Sequence, residues 1–254
     1  MKIGIVGAGH VGKCMIDLFK NHNPSVYDLY QDIGSIEEIN QCDVAFVCVP
    51  TPMAEDGSCD TSEVDKVLSW LTTDVIVIRS TVPVGYTERA IQKTQRSIVF
   101  QPEYYGETYA HPYADLSHRK WIVLGGRACD TEKALEAYKM VYTSELQVVL
   151  VSSEEAEFAK YMENSFLALK VTFCNEMYDI AKSLGVSYDR AREAWLADAR
   201  IGRSHTFVYE NDRGYGGSCL PKDISAIAHQ GKAAGSDTLL LDAVIQKNKQ
   251  YRSE

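Results

Sequence analysis

Gly214-Tyr215-Gly216-Gly217-Ser218-Cys219-Leu220-Pro221-Lys222-Asp223 is the stretch of this 254-residue chain richest in potential chemistry. A cysteine between a glycine-rich turn and a Pro-Lys-Asp step has the makings of an activated nucleophile. Glycines let a backbone crowd close to a ligand, and a helix starting near Pro221 points its positive end at the sulfur. Lys222 adds a cation, and both effects favour the reactive thiolate. A tight loop holding a buried cysteine is the plainer alternative. A second pair, Lys160 and Asn164, falls one turn apart on one helical face. There the alternative is a solvated lysine and a helix-tolerated asparagine. Glu155, Glu157 and Glu163 read as solvated or capping charges.

A chain of this length builds one large domain or two modest ones. With 45% apolar and 24% charged residues, its composition is that of a soluble globular protein. A net charge of −9 and the lack of any Lys/Arg run argue against a nucleic-acid partner. The seven cysteines, at 14, 42, 48, 59, 129, 174 and 219, are scattered and form no CxxC pair. That pattern fits a reducing cytoplasm and neither a disulfide framework nor a metal site. No apolar run reaches the ~20 residues of a membrane span, and Met1 to Val6 is a strand rather than a signal peptide.

Positioning begins with Lys2 to Val6, a short buried strand running straight into Gly7-Ala8-Gly9-His10-Val11-Gly12 and then a helical pattern to Phe19. This is GxGxxG between strand and helix, the context that gives the motif meaning. Gly7 permits the turn, Gly9 lets a pyrophosphate approach, and Gly12 packs the helix on the strand. The phosphates rest on the helix N-terminus. The strand Ser25 to Tyr27 ends in Asp28, 21 residues after Gly7, placed to accept ribose hydroxyls and repel a 2′-phosphate. No arginine follows, so NAD is favoured over NADP. Strands over 43–49, 75–79 and 97–100 alternate with helices over 61–71 and 85–94, which predicts a doubly wound parallel sheet. Its strand ends carry Val49-Pro50-Thr51-Pro52, Ser80-Thr81-Val82-Pro83-Val84-Gly85 and Gln101-Pro102-Glu103, where a nicotinamide half would lie.

Trp121 to Leu124 and Gln147 to Val151 read as two last strands. Ser152 with Glu155 makes a capping box, and no proline or glycine interrupts the pattern from there to about Ser183. Roughly thirty residues give a helix about 45 Å long, long enough to connect two domains and form a dimer seam. Helices follow over 188–197, 224–234 and from Ser236 to about Tyr251, the last capped by Ser236-Asp237. Its polar ending, Lys247 to Glu254, reads as a helix running out of partners. The expected domains are 1–151, a Rossmann-like unit, and 152–254, the connecting helix with an all-helical dimerisation domain.

Together these motifs resemble the nucleotide-sugar dehydrogenase family, the UDP-glucose and GDP-mannose type, over nearly the whole chain. The resemblance is carried by Gly7 to Gly12, Cys48 to Pro52, Ser80 to Gly85, Gln101-Pro102-Glu103, Ala156 to Lys170, Asp198-Ala199-Arg200-Ile201-Gly202 and Gly216 to Asp223. It implies two oxidations of a sugar's primary alcohol, with two hydrides passed to NAD. By motif position Cys219 would form a thiohemiacetal and then a thioester that water cleaves. Lys160 and Asn164 match oxyanion stabilisers. Asp223, Thr81 and Glu103 match groups that position water or relay protons, with Glu107 at a second carboxylate position. Lys222 would orient substrate or hold the carboxylates, and Arg200 matches an arginine that reaches a neighbouring subunit's site. Tyr104, Tyr105, Gly216 and Gly217 fall where the family lines its substrate.

Family members continue into a second Rossmann-like domain that grips the nucleotide, and this chain stops where that domain would begin. The loop Leu29 to Gln41 is short for the family, and Arg200 to Gly214 is long. The family's Asn-Pro-Glu-Phe-Leu-Arg-Glu-Gly reads Gln101 to Thr108 here, which implies a change in sugar specificity. Three readings stand. One is a four-electron dehydrogenase acting on a nucleotide sugar or smaller sugar alcohol. Another is a two-electron hydroxyacid dehydrogenase, whose family shares the two-domain plan and a Lys-x-x-x-Asn turn. The third is a non-catalytic NAD-binding subunit that needs a partner for its other half.

Overall fold

A computed structural model describes residues 1–104, 120–142 and 146–252. The chain divides into two compact units, one of residues 1–52 and 59–160, the other of residues 53–58 and 161–254.

In the first unit seven strands form one sheet in the order β2-β1-β3-β4-β5-β6-β7. They are β1 (Ile3–Val6), β2 (Ser25–Tyr27), β3 (Val44–Val47), β4 (Val75–Ile78), β5 (Ile98–Phe100), β6 (Trp121–Gly125) and β7 (Gln147–Val151). The first five pair in parallel, and so do β6 and β7. β6 meets β5 antiparallel through the single pair Phe100 and Gly125. Side-chain alternation divides these strands between two cores. Val44, Phe46, Val75, Val77 and Val99 pack with Met15 and Phe19 of α1 (His10–Phe19) and Tyr138 of α5 (Ala128–Lys139). Ala45, Val47, Ile76, Ile78 and Ile98 pack with Ile39 of α2 (Ile36–Ile39), Leu68 of α3 (Ser62–Trp70) and Ile91 of α4 (Tyr86–Thr94). Helices on both faces make the sheet doubly wound, as expected. Each buried branched aliphatic side chain contributes about 1.5–3 kcal/mol. α2 and α5 escaped the sequence reading. The first is a single turn capped by Ser35, and the second buries only alanines and Tyr138 among its apolar side chains.

α6 (Ser153–Ser183) is continuous over 31 residues, and its capping box is formed in both directions. Ser152 N–H donates to Glu155 Oε2 at 2.7 Å, and Glu155 N–H donates to Ser152 Oγ at 3.2 Å. Residues of α6 through Lys160 belong to the first unit and those from Tyr161 to the second.

The second unit adds α7 (Tyr188–Trp195), α8 (Leu220–Ala233) and α9 (Leu239–Arg252). Its core joins Ala168, Tyr215, Ile224 and Val244. α9 starts at Leu239 rather than Ser236. Gly235, at φ +83°, and a bond from Ser236 N–H to Gly231 O first close off α8. Asp237 then caps the new helix by accepting from Leu239 N–H at 3.0 Å. The polar end of α9 does not run out of partners. Asn248 is 7% exposed, Tyr251 donates to Asp179, and Arg252 bonds both Tyr215 and Asp212.

Candidate active site

The glycine loop of the first unit is held at Gly7 and Gly12 by backbone. Gly7 N–H donates to Tyr27 O, and a side chain at Gly12 would lie 1.8 Å from Gly7 O. Gly9 differs: a Cβ there would meet nothing within 4 Å, and Gly9 caps α1 without any side-chain hydrogen bond. His10 is exposed and Val11 half-buried on that first turn. An open glycine at the uncapped start of a helix fits a pyrophosphate. Asp28 closes the loop from the end of β2. Its Oδ2 accepts from Ala8 N–H at 2.7 Å and its Oδ1 from Tyr30 and Gln31 N–H at 2.9 Å each. Burial pushes the Asp28 carboxyl up, but these donors outweigh it and leave the pKa lowered. The Gln31 amide also donates to Oδ2 and to Ala8 O.

At the strand ends, Ser80 Oγ donates to Val49 O at 2.6 Å, and Cys59 Sγ donates to Thr81 O at 3.4 Å. Pro50 is exposed and Thr51 buried. Glu103, only 7% exposed, forms a buried ion pair with Arg79. Lys160 donates to Glu103 O and lies 5.3 Å from the Tyr104 ring centroid, while Tyr104 packs against Trp121. The fold thus gathers Glu103, Tyr104 and Lys160. Tyr105 and Glu107 lie outside the described residues.

Of the two readings given to Glu157, a solvated or a capping charge, only the second holds. Glu157 is fully buried rather than solvated, and it caps a helix other than its own. Its carboxylate accepts from Gly85 N–H at 2.5 Å and Thr87 N–H at 2.8 Å, at the start of α4. Gly85 has no side chain to do this. Burial pushes Glu157 up to about 7 against the pull of those N–H donors. It thereby fixes the far end of the Ser80–Gly85 loop.

In the second unit Cys219 is exposed at the N-cap of α8, with Pro221 in the first turn. That removes the buried-cysteine alternative. By contrast, burial raises the thiols of Cys42, Cys48 and Cys174, that of Cys48 to about 12. Asp223, 1% exposed, pairs with Lys222 through Oδ1 and accepts from Asn164 Nδ2 through Oδ2 at 2.5 Å. Asn164 is 5% exposed, so the solvated alternative fails for it, as it does for the buried Lys160. Gly216 and Gly217 lead into the cysteine, and Gly217 adopts φ +77°. Arg200 stands on the surface in an ion pair with Asp198 at 2.5 Å. Among the described residues no group of three or more His, Cys, Asp or Glu could hold a metal. Among them, too, no helix is long and apolar enough to cross a membrane.

Residues 29–145 match the NAD binding domain of the UDP-glucose/GDP-mannose dehydrogenase family, and residues 154–250 match its central domain. The chain belongs to the UDP-glucose/GDP-mannose dehydrogenase family. NAD is its cofactor. A UDP-glucose 6-dehydrogenase of Pseudomonas aeruginosa is 32% identical over 233 residues, covering 85% of this chain and 50% of that protein. One from Bacillus subtilis is 30% identical over 227 residues, 84% of this chain and 48% of that protein. The chain therefore spans about half the length of these curated relatives. Among solved structures, a UDP-glucose dehydrogenase of Pyrobaculum islandicum is similar with a TM-score of 0.84 at 28% identity, over 98% of this chain and 68% of the other. A 3-hydroxyisobutyrate dehydrogenase of Mycobacterium tuberculosis shares the fold, with a TM-score of 0.76 at 15% identity, over 100% and 94%.

Within the UDP-glucose/GDP-mannose dehydrogenase fold, Arg79 and Glu157 are the site-supporting residues that sequence reasoning missed. A charged residue closing an apolar strand was the available signal for Arg79. Glu157 offered none, because its partners lie some seventy residues away.

Proposed function

We propose that this chain is the catalytic portion of a dehydrogenase that oxidises the primary alcohol of a nucleotide sugar to a carboxylate, making a uronic acid for polysaccharide synthesis in the cytoplasm. The observation that carries the reading is Cys219, exposed at the start of α8 four residues before a buried Asp223 that joins Asn164 and Lys222. On this reading the NAD-binding domain is 1–151 and the helical domain 152–254. Gly7, Gly9, Gly12 and Asp28 hold the adenosine and phosphates, with His10 and Val11 beside them. Val49, Pro50, Thr51, Ser80 and Thr81 flank the nicotinamide half. NAD, when bound, accepts the hydride of each oxidation.

The chain's own groups do the rest. The Cys219 thiolate adds to the aldehyde carbon left by the first oxidation, and the carbonyl oxygen takes a proton. Loss of a hydride and that proton yields the thioester, and water releases the acid and the thiol. Lys160 and Asn164 supply the donors that stabilise the oxyanion at each addition. Asp223, Thr81 and Glu103 position water and relay protons, with Glu107 as a further carboxylate and Lys222 as the cation that holds Asp223. Tyr104, Tyr105, Gly216, Gly217 and Arg200 contact the substrate.

A homodimer is part of the proposal. Met162, Phe166, Phe173, Met177 and Ile180 recur three, four or seven residues apart on α6, and each is at least 40% exposed. A second copy is the occupant we assign to that stripe. Only monomer in sedimentation velocity would overturn it.

Counting NADH formed per UDP-glucose tests the function. Two are expected, and Cys219→Ala should stop at the aldehyde after one. Turnover of a hydroxyacid that survives Cys219→Ala would replace this reading with the two-electron one. NAD binding without turnover on any sugar would favour the non-catalytic subunit.

A further inference from the structure

The loop that delivers Cys219 ends in a short turn over residues 217–219, directly before α8. Ahead of that turn, Gly214 and Tyr215 are held by side chains of α6 and α9. Asn248 of α9, 7% exposed, accepts from Tyr215 N–H through Oδ1 at 2.7 Å and donates from Nδ2 to Tyr215 O at 2.9 Å. One amide thus takes the place of a neighbouring strand and satisfies both backbone groups of Tyr215. Asn175 of α6 accepts from Gly214 N–H at 3.2 Å, and Arg252 Nε adds a second donor to Tyr215 O at 3.2 Å. The Tyr215 ring is meanwhile sunk in the core with Ile224 and Val244. A Cβ at Gly214 would come within 2.4 Å of Asn248 Oδ1, and one at Gly216 within 2.0 Å of the Arg252 guanidinium. These two glycines therefore make room for the brace.

We propose that Asn248 is a positioning residue for Cys219, with Arg252 in a supporting part. Its amide fixes Tyr215, and through the three residues that follow it fixes the thiol at the N-terminus of α8. There the first-turn amides and Lys222 favour the thiolate. This rests on the reading of Cys219 as the nucleophile. It gives the end of α9, remote in sequence from the cysteine, a part in its reactivity.

The test is site-resolved alkylation of the whole chain with iodoacetamide, followed by peptide mass spectrometry. The exposed Cys129 of the other unit serves as internal reference. In the parent, Cys219 should react faster than Cys129. Asn248→Ala should lower the Cys219-to-Cys129 rate ratio about fivefold or more at pH 7 and move the pH profile of Cys219 to higher pH. Arg252→Met, at a partly exposed position, should lower the ratio about twofold and covers the case in which Asn248→Ala does not fold. A merely structural Asn248 would lower Tm and leave the ratio and profile in place. An unchanged ratio in a folded variant overturns the inference. A parent Cys219 no faster than Cys129 instead overturns the nucleophile reading, and the inference with it.

Discussion

Two glycine-rich loops each lead into a helix, one at Gly7–Gly12 and the other at Gly214–Gly217, and backbone and side chains share the holding of them differently. The first is braced at both glycine ends by backbone, with Ala8 between them held by the Asp28 and Gln31 side chains. Gly7 N–H reaches β2, and the Gly12 Cα faces Gly7 O too closely for any side chain. The second is braced by Asn175, Asn248 and Arg252. A backbone brace is rigid, because its atoms move only with the sheet. A side-chain brace can yield by changing rotamer, so it tunes geometry at lower cost. The start of α4 is a third case, a glycine junction completed by the distant Glu157.

Substitutions at these junctions should separate the two kinds. Gly12→Ala should be the most damaging, destabilising by more than about 3 kcal/mol and abolishing NAD binding, measured by denaturant melts and calorimetric titration. A folded Gly12→Ala that binds NAD normally would break the contrast.

Glu157 comes next. Its pKa is raised from 4.5 to about 7, so the folded state holds its proton over a range where the unfolded state has lost it. Stability from this group is complete below about pH 4.5 and declines as pH rises toward 7, by up to about 3 kcal/mol. Gly85 and Thr87 N–H oppose the shift, and Glu154 adds to it. Glu157→Gln should remove that slope, so its Tm should gain on the parent between pH 4.5 and 7 and run parallel above. Parallel melting curves across the whole range would refute the assignment.

Gly214→Ala forces φ +73° on an L-residue and crowds Asn248. It should cost about 2 kcal/mol, roughly 4–8 °C in Tm. Gly9→Ala meets open space, so stability should change by less than about 1 kcal/mol while the Kd for NAD rises about tenfold. Gly216→Ala should be mildest, below about 1 kcal/mol, because the Arg252 guanidinium can swing aside. A Gly216→Ala penalty matching that of Gly12→Ala would mean both loops are equally rigid.

Much of the first unit was legible because its signals are local. Strand, glycine turn and helix follow within twenty residues, and the apolar runs at 44–47, 75–78 and 98–100 are long enough to be strands and too short to be helices. The α6 capping box was readable for the same reason, since Ser152 and Glu155 are three residues apart. In the second unit the motif around Cys219 was legible and its supports were not. Lys247 to Glu254 reads in sequence as a helix running out of partners, and only folding shows Asn248 buried against Tyr215.

The chain alone determined its doubly wound sheet, its glycine turn after β1 and the motif around Cys219, because periodicity and glycine placement act between near neighbours. Tertiary structure decided which polar side chains hold those parts in place. The bonds from Gly85 and Thr87 to Glu157 and from Tyr215 to Asn248 span 72, 70 and 33 residues. No periodicity links such partners. They meet only because hydrophobic burial brings their helices together, and buried backbone N–H and C=O groups must then find a hydrogen bond there.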